Sequence, residues 1–208
     1  MYKKYIKQLL DLLLALIGLV VLSPLFLVII IAIKLESKGP VLFKQDRVGK
    51  NKEIFKIYKF RTMKIDAPND MPTHLLENPD FFITQVGKIL RKTSLDELPQ
   101  ILNILKGQMS IIGPRPALWN QYDLIQERDK YDANEIYPGL TGWAQINGRD
   151  ELTILRKSEL DGEYVNNLTL LFDVKCFVGT ILSVVHLDGV VEGNTKNKDN
   201  SNIIKIDK

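Results

Sequence analysis

Residues Leu12–Ile33 read LLLALIGLVVLSPLFLVIIIAI, an uncharged run of 22 in which only Gly18, Ser23 and Pro24 are not apolar. As a helix this run would be about 33 Å long, enough to cross the hydrocarbon core of a bilayer. The chain's 28 basic and 25 acidic side chains all fall outside it and nearly balance, at a formal charge of +3. That division excludes a polytopic membrane protein and a disordered chain. The 208 residues are read as a membrane segment with its flanks, 1–39, a globular domain, 40–191, and a polar tail, 192–208, expected to be disordered. Pro24, Phe26 and the apolar continuation Val28–Ile33 argue against a cleavable signal peptide.

The flanks set the topology. Lys3, Lys4 and Lys7 precede the run, and residues 34–64 carry ten basic side chains against three acidic ones. Positive charge stays on the cytoplasmic side, so a segment basic at both ends favours entering and leaving by one face. Ser23-Pro24 lies at its centre, where proline cannot donate to the carbonyl of Val20 and crowds it. The Ser23 hydroxyl is a nearby group to satisfy that carbonyl. These residues alone leave a plain span and a re-entrant hairpin evenly matched.

Beyond the segment, Val41–Arg47 and Glu53–Phe60 flank the turn signal Gly49-Lys50-Asn51 and predict a β-hairpin, with Lys59 and Arg61 on one side of an extended strand. Residues 65–80 hold three prolines and read as a loop. Helical spacing covers Phe81–Arg91, Leu95–Leu105 and residues 118–131. Leu170, Leu171, Val174, Phe177, Val178, Ile181, Leu182 and Val185 recur at helical intervals, as a buried core helix or as an amphipathic helix on a membrane surface.

Elimination narrows the chemistry. One cysteine, Cys176, lies in an apolar stripe, and His74 and His186 have no companions, so neither a zinc site nor a Cys-His nucleophile has its parts. There is no Walker A loop and no dinucleotide fingerprint. Carboxylates, cations and hydroxyls remain, concentrated in four segments. These are KFRTM (Lys59–Met63), SLDELPQ (Ser94–Gln100), GPRP (Gly113–Pro116) and PGLTGWAQINGR (Pro138–Arg149). Ser94 and Glu97 fit a capping box, and Pro99 suits a first helical turn, so a helix start is the ordinary reading of SLDELPQ. The adjacent Asp96 and Glu97 also suit Mg²⁺, which takes one or two carboxylates together with phosphate oxygens, and an aspartate can attack phosphorus. In GPRP two prolines restrict the backbone on either side of Arg115, favouring a fixed guanidinium for phosphate.

The hydrophobic segment with central Ser-Pro, followed in order by KFRTM, SLDELPQ, NILKGQMSIIGPRP, PGLTGWAQINGR and LDGEYVNNLTLLFDVKC, resembles the bacterial sugar transferase family of monotopic phosphoglycosyl transferases. The resemblance runs from about Tyr5 to Leu187. It implies an α+β, mainly helical fold with an N-terminal re-entrant membrane helix hairpin kinked at Ser23 and Pro24. A short β-hairpin and amphipathic interfacial helices would surround an active site at the cytoplasmic face of the bacterial cell membrane. The implied reaction moves a phospho-sugar from a UDP-sugar to a polyprenyl phosphate, usually undecaprenyl phosphate, releasing UMP and starting glycoconjugate or exopolysaccharide assembly. Mg²⁺ would be the cofactor, held by Asp96 and Glu97. Asp96 would carry the covalent phospho-sugar, and Glu97 would be the second member of the dyad, as a metal ligand or as an acid/base for the lipid phosphate. Lys59, Arg115 and Arg149 would bind substrate, with Arg61, Arg91 and Asp161 as weaker members. For Asp161 a helix-surface aspartate is the competing reading.

Anionic membrane lipid and downstream glycosyltransferases are the further partners expected, and nucleic acid is not. With no added N-terminal domain the chain resembles the family's small subclass. Two other functions fit parts of the pattern: a membrane phosphohydrolase acting on a lipid diphosphate, and a non-catalytic basic scaffold using residues 34–64. The scaffold leaves Asp96-Glu97, GPRP and TGWAQINGR without a purpose.

Overall fold

In the computed structural model, residues 2–67, 79–148 and 151–186 are described. The apolar run forms the centre of one long helix, α1 (Lys7–Glu36), preceded by a π-helical turn at Tyr2–Ile6. Pro24 is inside α1, and the Ser23 hydroxyl donates to the Val20 carbonyl at 2.8 Å, the acceptor that the proline leaves without its amide. The helix runs unbroken through Ser23-Pro24.

The hairpin forms as expected: β1 (Leu42–Val48) pairs antiparallel with β2 (Ile54–Phe60), Leu42 opposite Phe60. A 3₁₀ turn at Lys50–Lys52 joins them, with Asn51 and Lys52 at positive φ. Phe55 and Ile57, two apart on one face of β2, pack with Ala15 of α1 and with Ile101, Ile104 and Met109. A second cluster joins Ile29 and Ile33 of α1 to Phe60 and Leu90. One face of α1 is thus seated on the domain along most of its length.

The other helices are short. They are α2 (Pro79–Phe82), α3 (Gln85–Lys92), α4 (Ile101–Leu105), α5 (Tyr122–Asp129), α6 (Trp143–Ile146), α7 (Ile154–Asn166) and α8 (Leu170–His186). Two strands not expected from periodicity, β3 (Ser110–Ile112) and β4 (Gly139–Thr141), pair in parallel. At three residues each they are too short to show a period of two.

The helix expected over Leu95–Leu105 is instead a 3₁₀ turn, Leu95–Gln100, leading into α4. The capping box is not made. Ser94 sits in the left-handed region (φ 55°) with no side-chain cap, because the Glu97 side chain is held elsewhere. The core reading of the last apolar stripe is also corrected. On α8 the side chains of Leu171, Val174, Phe177, Val178, Ile181 and Leu182 are exposed, whereas Asp173 and Cys176 are buried. This helix turns its polar side inward and its apolar side out. The expected tail and most of the proline-rich loop lie outside the described residues.

Candidate functional site

Lys59 follows Phe55 and Ile57 in the two-residue alternation of β2, so it points to the same face and meets the Leu95–Gln100 turn. Its Nζ lies 2.8 Å from Glu97 Oε1. Arg61 comes after the end of the strand, and its guanidinium donates to the carbonyls of Ser37 and Lys38 at 2.8 and 3.0 Å and to the Ser37 hydroxyl. Arg61 therefore closes the C-terminal end of α1, where carbonyls lack helical partners and a cation is favoured. The two side chains, expected together on one side, part at the strand end.

Arg115 reaches the turn from the opposite direction. Gly113 is required there, since a Cβ would stand 2.5 Å from the Tyr137 carbonyl oxygen and 2.9 Å from the Gly139 amide nitrogen. The loop's carbonyls are held in turn: Arg47 donates to Pro116 O at 3.0 Å, and Arg128 donates to Arg115 O at 2.9 Å. With its backbone fixed, Arg115 forks onto Glu97, Nη2 to Oε1 at 2.5 Å and Nη1 to Oε2 at 3.1 Å. Such a bidentate pair adds geometric specificity to charge.

The adjacent carboxylates end up in opposite conditions. Glu97 accepts three charge-assisted hydrogen bonds over its two oxygens. Burial by itself would raise its carboxyl, but Arg115 and Lys59 outweigh that and hold it well below the usual range. Asp96 is also buried, yet among the described residues no hydrogen bond or ion pair reaches its carboxylate. Burial raises its carboxyl above the ordinary value and the neighbouring Glu97 adds to this, against the opposing charges of Lys59, Arg91 and Arg115. The Lys59 ammonium is pulled below its ordinary value by burial, although Glu97 opposes the change. Arg91 is oriented nearby by the Thr62 hydroxyl, which accepts from its Nε at 2.8 Å. The result is one carboxylate locked by cations and one left available inside the same positive field. That arrangement suits an anionic phosphate and a nucleophilic or metal-binding carboxylate.

Among the described residues no three His, Cys, Asp or Glu side chains converge to hold a metal. Of the two expected ligands, Asp96 has oxygen lone pairs to offer. Glu97 already accepts three bonds from Arg115 and Lys59, which leaves it one lone pair, on Oε2, to offer.

Of the sequence candidates, the fold assembles Lys59, Arg91, Asp96, Glu97 and Arg115. It does not bring Arg61 or Asp161 to the dyad. Asp161 is 1% exposed and is clasped by Arg128, whose Nε and Nη2 lie 2.8 and 2.6 Å from Oδ2. It is neither the expected substrate contact nor a surface aspartate, but the anchor of the arginine that holds the Arg115 carbonyl. Arg149 lies outside the described residues. Arg47 and Arg128, which shape the GPRP loop, carry no local sequence signal, since each sits in an ordinary strand or helix and meets the loop through tertiary contact.

Comparison with known proteins adds a separate line of observation. The family model for "Bacterial sugar transferase" matches residues 2–187. The chain is 40% identical over 189 residues to a Bacillus subtilis protein named "Uncharacterized sugar transferase EpsL", covering 91% of this chain and 92% of that one. It is 41% identical to the UDP-glucose:undecaprenyl-phosphate glucose-1-phosphate transferase of Escherichia coli, covering 86% of this chain and 40% of that one. It is 39% identical to a UDP-N-acetylgalactosamine-undecaprenyl-phosphate N-acetylgalactosaminephosphotransferase of Aeromonas hydrophila, covering 87% and 44%. The chain therefore spans nearly all of the first relative and about two fifths of the other two.

Proposed function

Because the chain belongs to the bacterial sugar transferase family, we propose that it transfers a phospho-sugar from a UDP-sugar to undecaprenyl phosphate or a related polyprenyl phosphate, releasing UMP. The observation that carries the mechanism is the uncommitted Asp96 carboxylate beside the Glu97–Arg115–Lys59 cluster. An Asp96 oxygen attacks the β-phosphorus of the UDP-sugar, and the bond from that phosphorus to the bridging oxygen breaks. The electron pair leaves with UMP, and the phospho-sugar stays on Asp96 as an acyl phosphate. An oxygen of the lipid phosphate then attacks the same phosphorus, giving the lipid-linked diphosphate sugar and freeing Asp96. Glu97 orients Arg115 and Lys59, whose charges meet the phosphate oxygens as negative charge develops. Asp96, with substrate phosphate oxygens, would hold Mg²⁺, which when bound further neutralises the diphosphate. The lipid-linked product would serve as acceptor for downstream glycosyltransferases.

Placement at the membrane follows from α1 and α8. Lys7 and Asp11 near the start of α1 bond to Asp173 and Ser110, and Glu36 at its end accepts from the amides of Gln85 and Val86. Both ends of the segment are tied to one folded domain. A domain lies on one side of a bilayer, so these ties support a segment that enters and leaves by the same face. The basic excess of residues 34–64 favours the cytoplasmic face. The outward apolar face of α8 would rest in the interface, bringing a soluble nucleotide and a lipid-bound acceptor to one site.

Purified protein given UDP-sugars, Mg²⁺ and undecaprenyl phosphate should release UMP in proportion to the lipid acceptor. With UDP-sugar alone, intact mass should show one phospho-sugar adduct on the wild type and none on Asp96→Asn. An adduct persisting on Asp96→Asn sinks the nucleophile assignment, and continuous UMP release without lipid would make water the acceptor. Cysteine labelling of the two ends of α1 from opposite sides of the membrane would reject the re-entrant course.

A further inference from the structure

A cavity of about 390 Å³ lies at the start of α1, away from Asp96 and Glu97, and none of the candidate site residues lines it. Its walls carry Lys3, Lys7, Asp11, Lys50, Glu135 and Tyr137. Some of these charges are already matched. Lys7 Nζ lies 2.8 Å from Asp173 and 3.5 Å from Asp11, and Asp11 also accepts from the Ser110 hydroxyl at 2.6 Å. The remainder are not. Among the described residues Lys3, Lys50 and Glu135 have no ion pair, and Lys50 is steadied only by the Tyr137 ring, 4.6 Å from Nζ to its centroid. Two lysines and one glutamate with no ion pair among the described residues thus line a space much larger than a single water needs.

We propose that this cavity binds the headgroup of a phosphatidylethanolamine molecule from the surrounding bilayer, with Lys3 and Lys50 on its phosphate and Glu135 on its ammonium. The charge pattern chooses the ligand. A bare phosphate or a purely anionic headgroup would leave Glu135 facing like charge, whereas a phosphate bearing an ammonium satisfies both signs. Position chooses the source. Gln8 of α1 also lines the cavity, and one and two turns further along the same helical face Leu12 and Leu16 are exposed. A headgroup in the cavity could therefore lay its acyl chains along this exposed apolar surface. The inference rests on α1 lying in a bilayer, whether it re-enters or spans.

Native mass spectrometry of the full chain in detergent, stripped of lipid, tests this with three added probes: phosphatidylethanolamine, phosphatidylglycerol and inorganic phosphate. The wild type should retain one phosphatidylethanolamine per chain, roughly tenfold more than phosphatidylglycerol, about the effect of one charge-assisted contact. Lys3→Gln/Lys50→Gln should lose that retention by a similar factor. Glu135→Gln should bring phosphatidylglycerol level with phosphatidylethanolamine. The control Lys52→Gln/Lys56→Gln, which alters lysines outside the cavity, should change nothing. Equal or reversed retention of the two lipids on the wild type, undiminished retention in the double variant, or displacement of lipid by equimolar inorganic phosphate would overturn the proposal. Because binding rather than transfer is read, failure here leaves the transferase mechanism standing, and failure of the UMP assay leaves this site standing.

Discussion

Two of the buried ionic clusters among the described residues are alike except for one carboxylate. At the start of α1, Asp173 accepts from Tyr2, Lys7 and Tyr164, while Asp11 accepts from Ser110 and the Ile111 amide. Every carboxylate oxygen there has a donor. In the cluster below GPRP, Glu97 is equally satisfied, but Asp96 beside it has no donor among the described residues. The first cluster fastens α1 to the domain, and the second leaves one acid open, as the proposed reaction needs.

The sharpest way to break this comparison is Asp96→Asn. It should reduce transfer by more than about 10³-fold while leaving thermal stability close to that of the wild type, because no hydrogen bond or ion pair among the described residues is lost with the carboxylate. A large fall in melting temperature would show that Asp96 is structural after all. The next largest effect is expected at the anchor of the loop. Asp161→Ala strands the buried Arg128 and should cost about 3–5 kcal/mol in denaturant unfolding. In the milder Asp161→Asn, Arg128 keeps one acceptor, and activity should drop even where the protein stays folded, since Arg128 positions the Arg115 carbonyl.

Glu97→Gln should cost about 3 kcal/mol, at the low end for a buried pair because Arg115 is partly exposed. The pH dependence separates the neighbours. The depressed Glu97 carboxyl contributes stability that is complete above its unfolded value of about 4.3 and is lost as pH falls through its lower folded value. Asp96 has the opposite sign. Its raised carboxyl favours the folded state at low pH and must ionise to attack, so adduct formation should rise with pH through a midpoint above the ordinary aspartate value. A single-turnover pH profile for adduct formation, flat down to pH 4, would contradict this. Smallest of all, Lys56→Ala breaks the exposed pair with Asp46, in which both side chains are more than two-fifths accessible, and should cost less than about 1 kcal/mol.

Much of the site could be read in advance because it is built from short segments whose residue types are themselves unusual: Lys59 in KFRTM, Asp96-Glu97 in SLDELPQ and Arg115 in GPRP. Local pattern failed where one residue could serve two partners. Ser94-x-x-Glu97 satisfies the capping rule, but cations from β2 and GPRP draw the glutamate away from its own backbone. Arg61 shares the alternation of Lys59 only while the strand lasts. Asp161 and Arg128 are 33 positions apart, so their pairing could not be read from either helix alone.

The sequence by itself determined the apolar segment, the proline and serine at its centre, the β-hairpin and the order of the charged motifs, because these rest on composition and on backbone constraints acting within a few residues. Only the tertiary structure decided which of two adjacent acids is locked and which is open, and that α8 turns its apolar face outward. Those outcomes depend on which distant cations and surfaces the fold brings within hydrogen-bonding or packing distance, and no local periodicity encodes that.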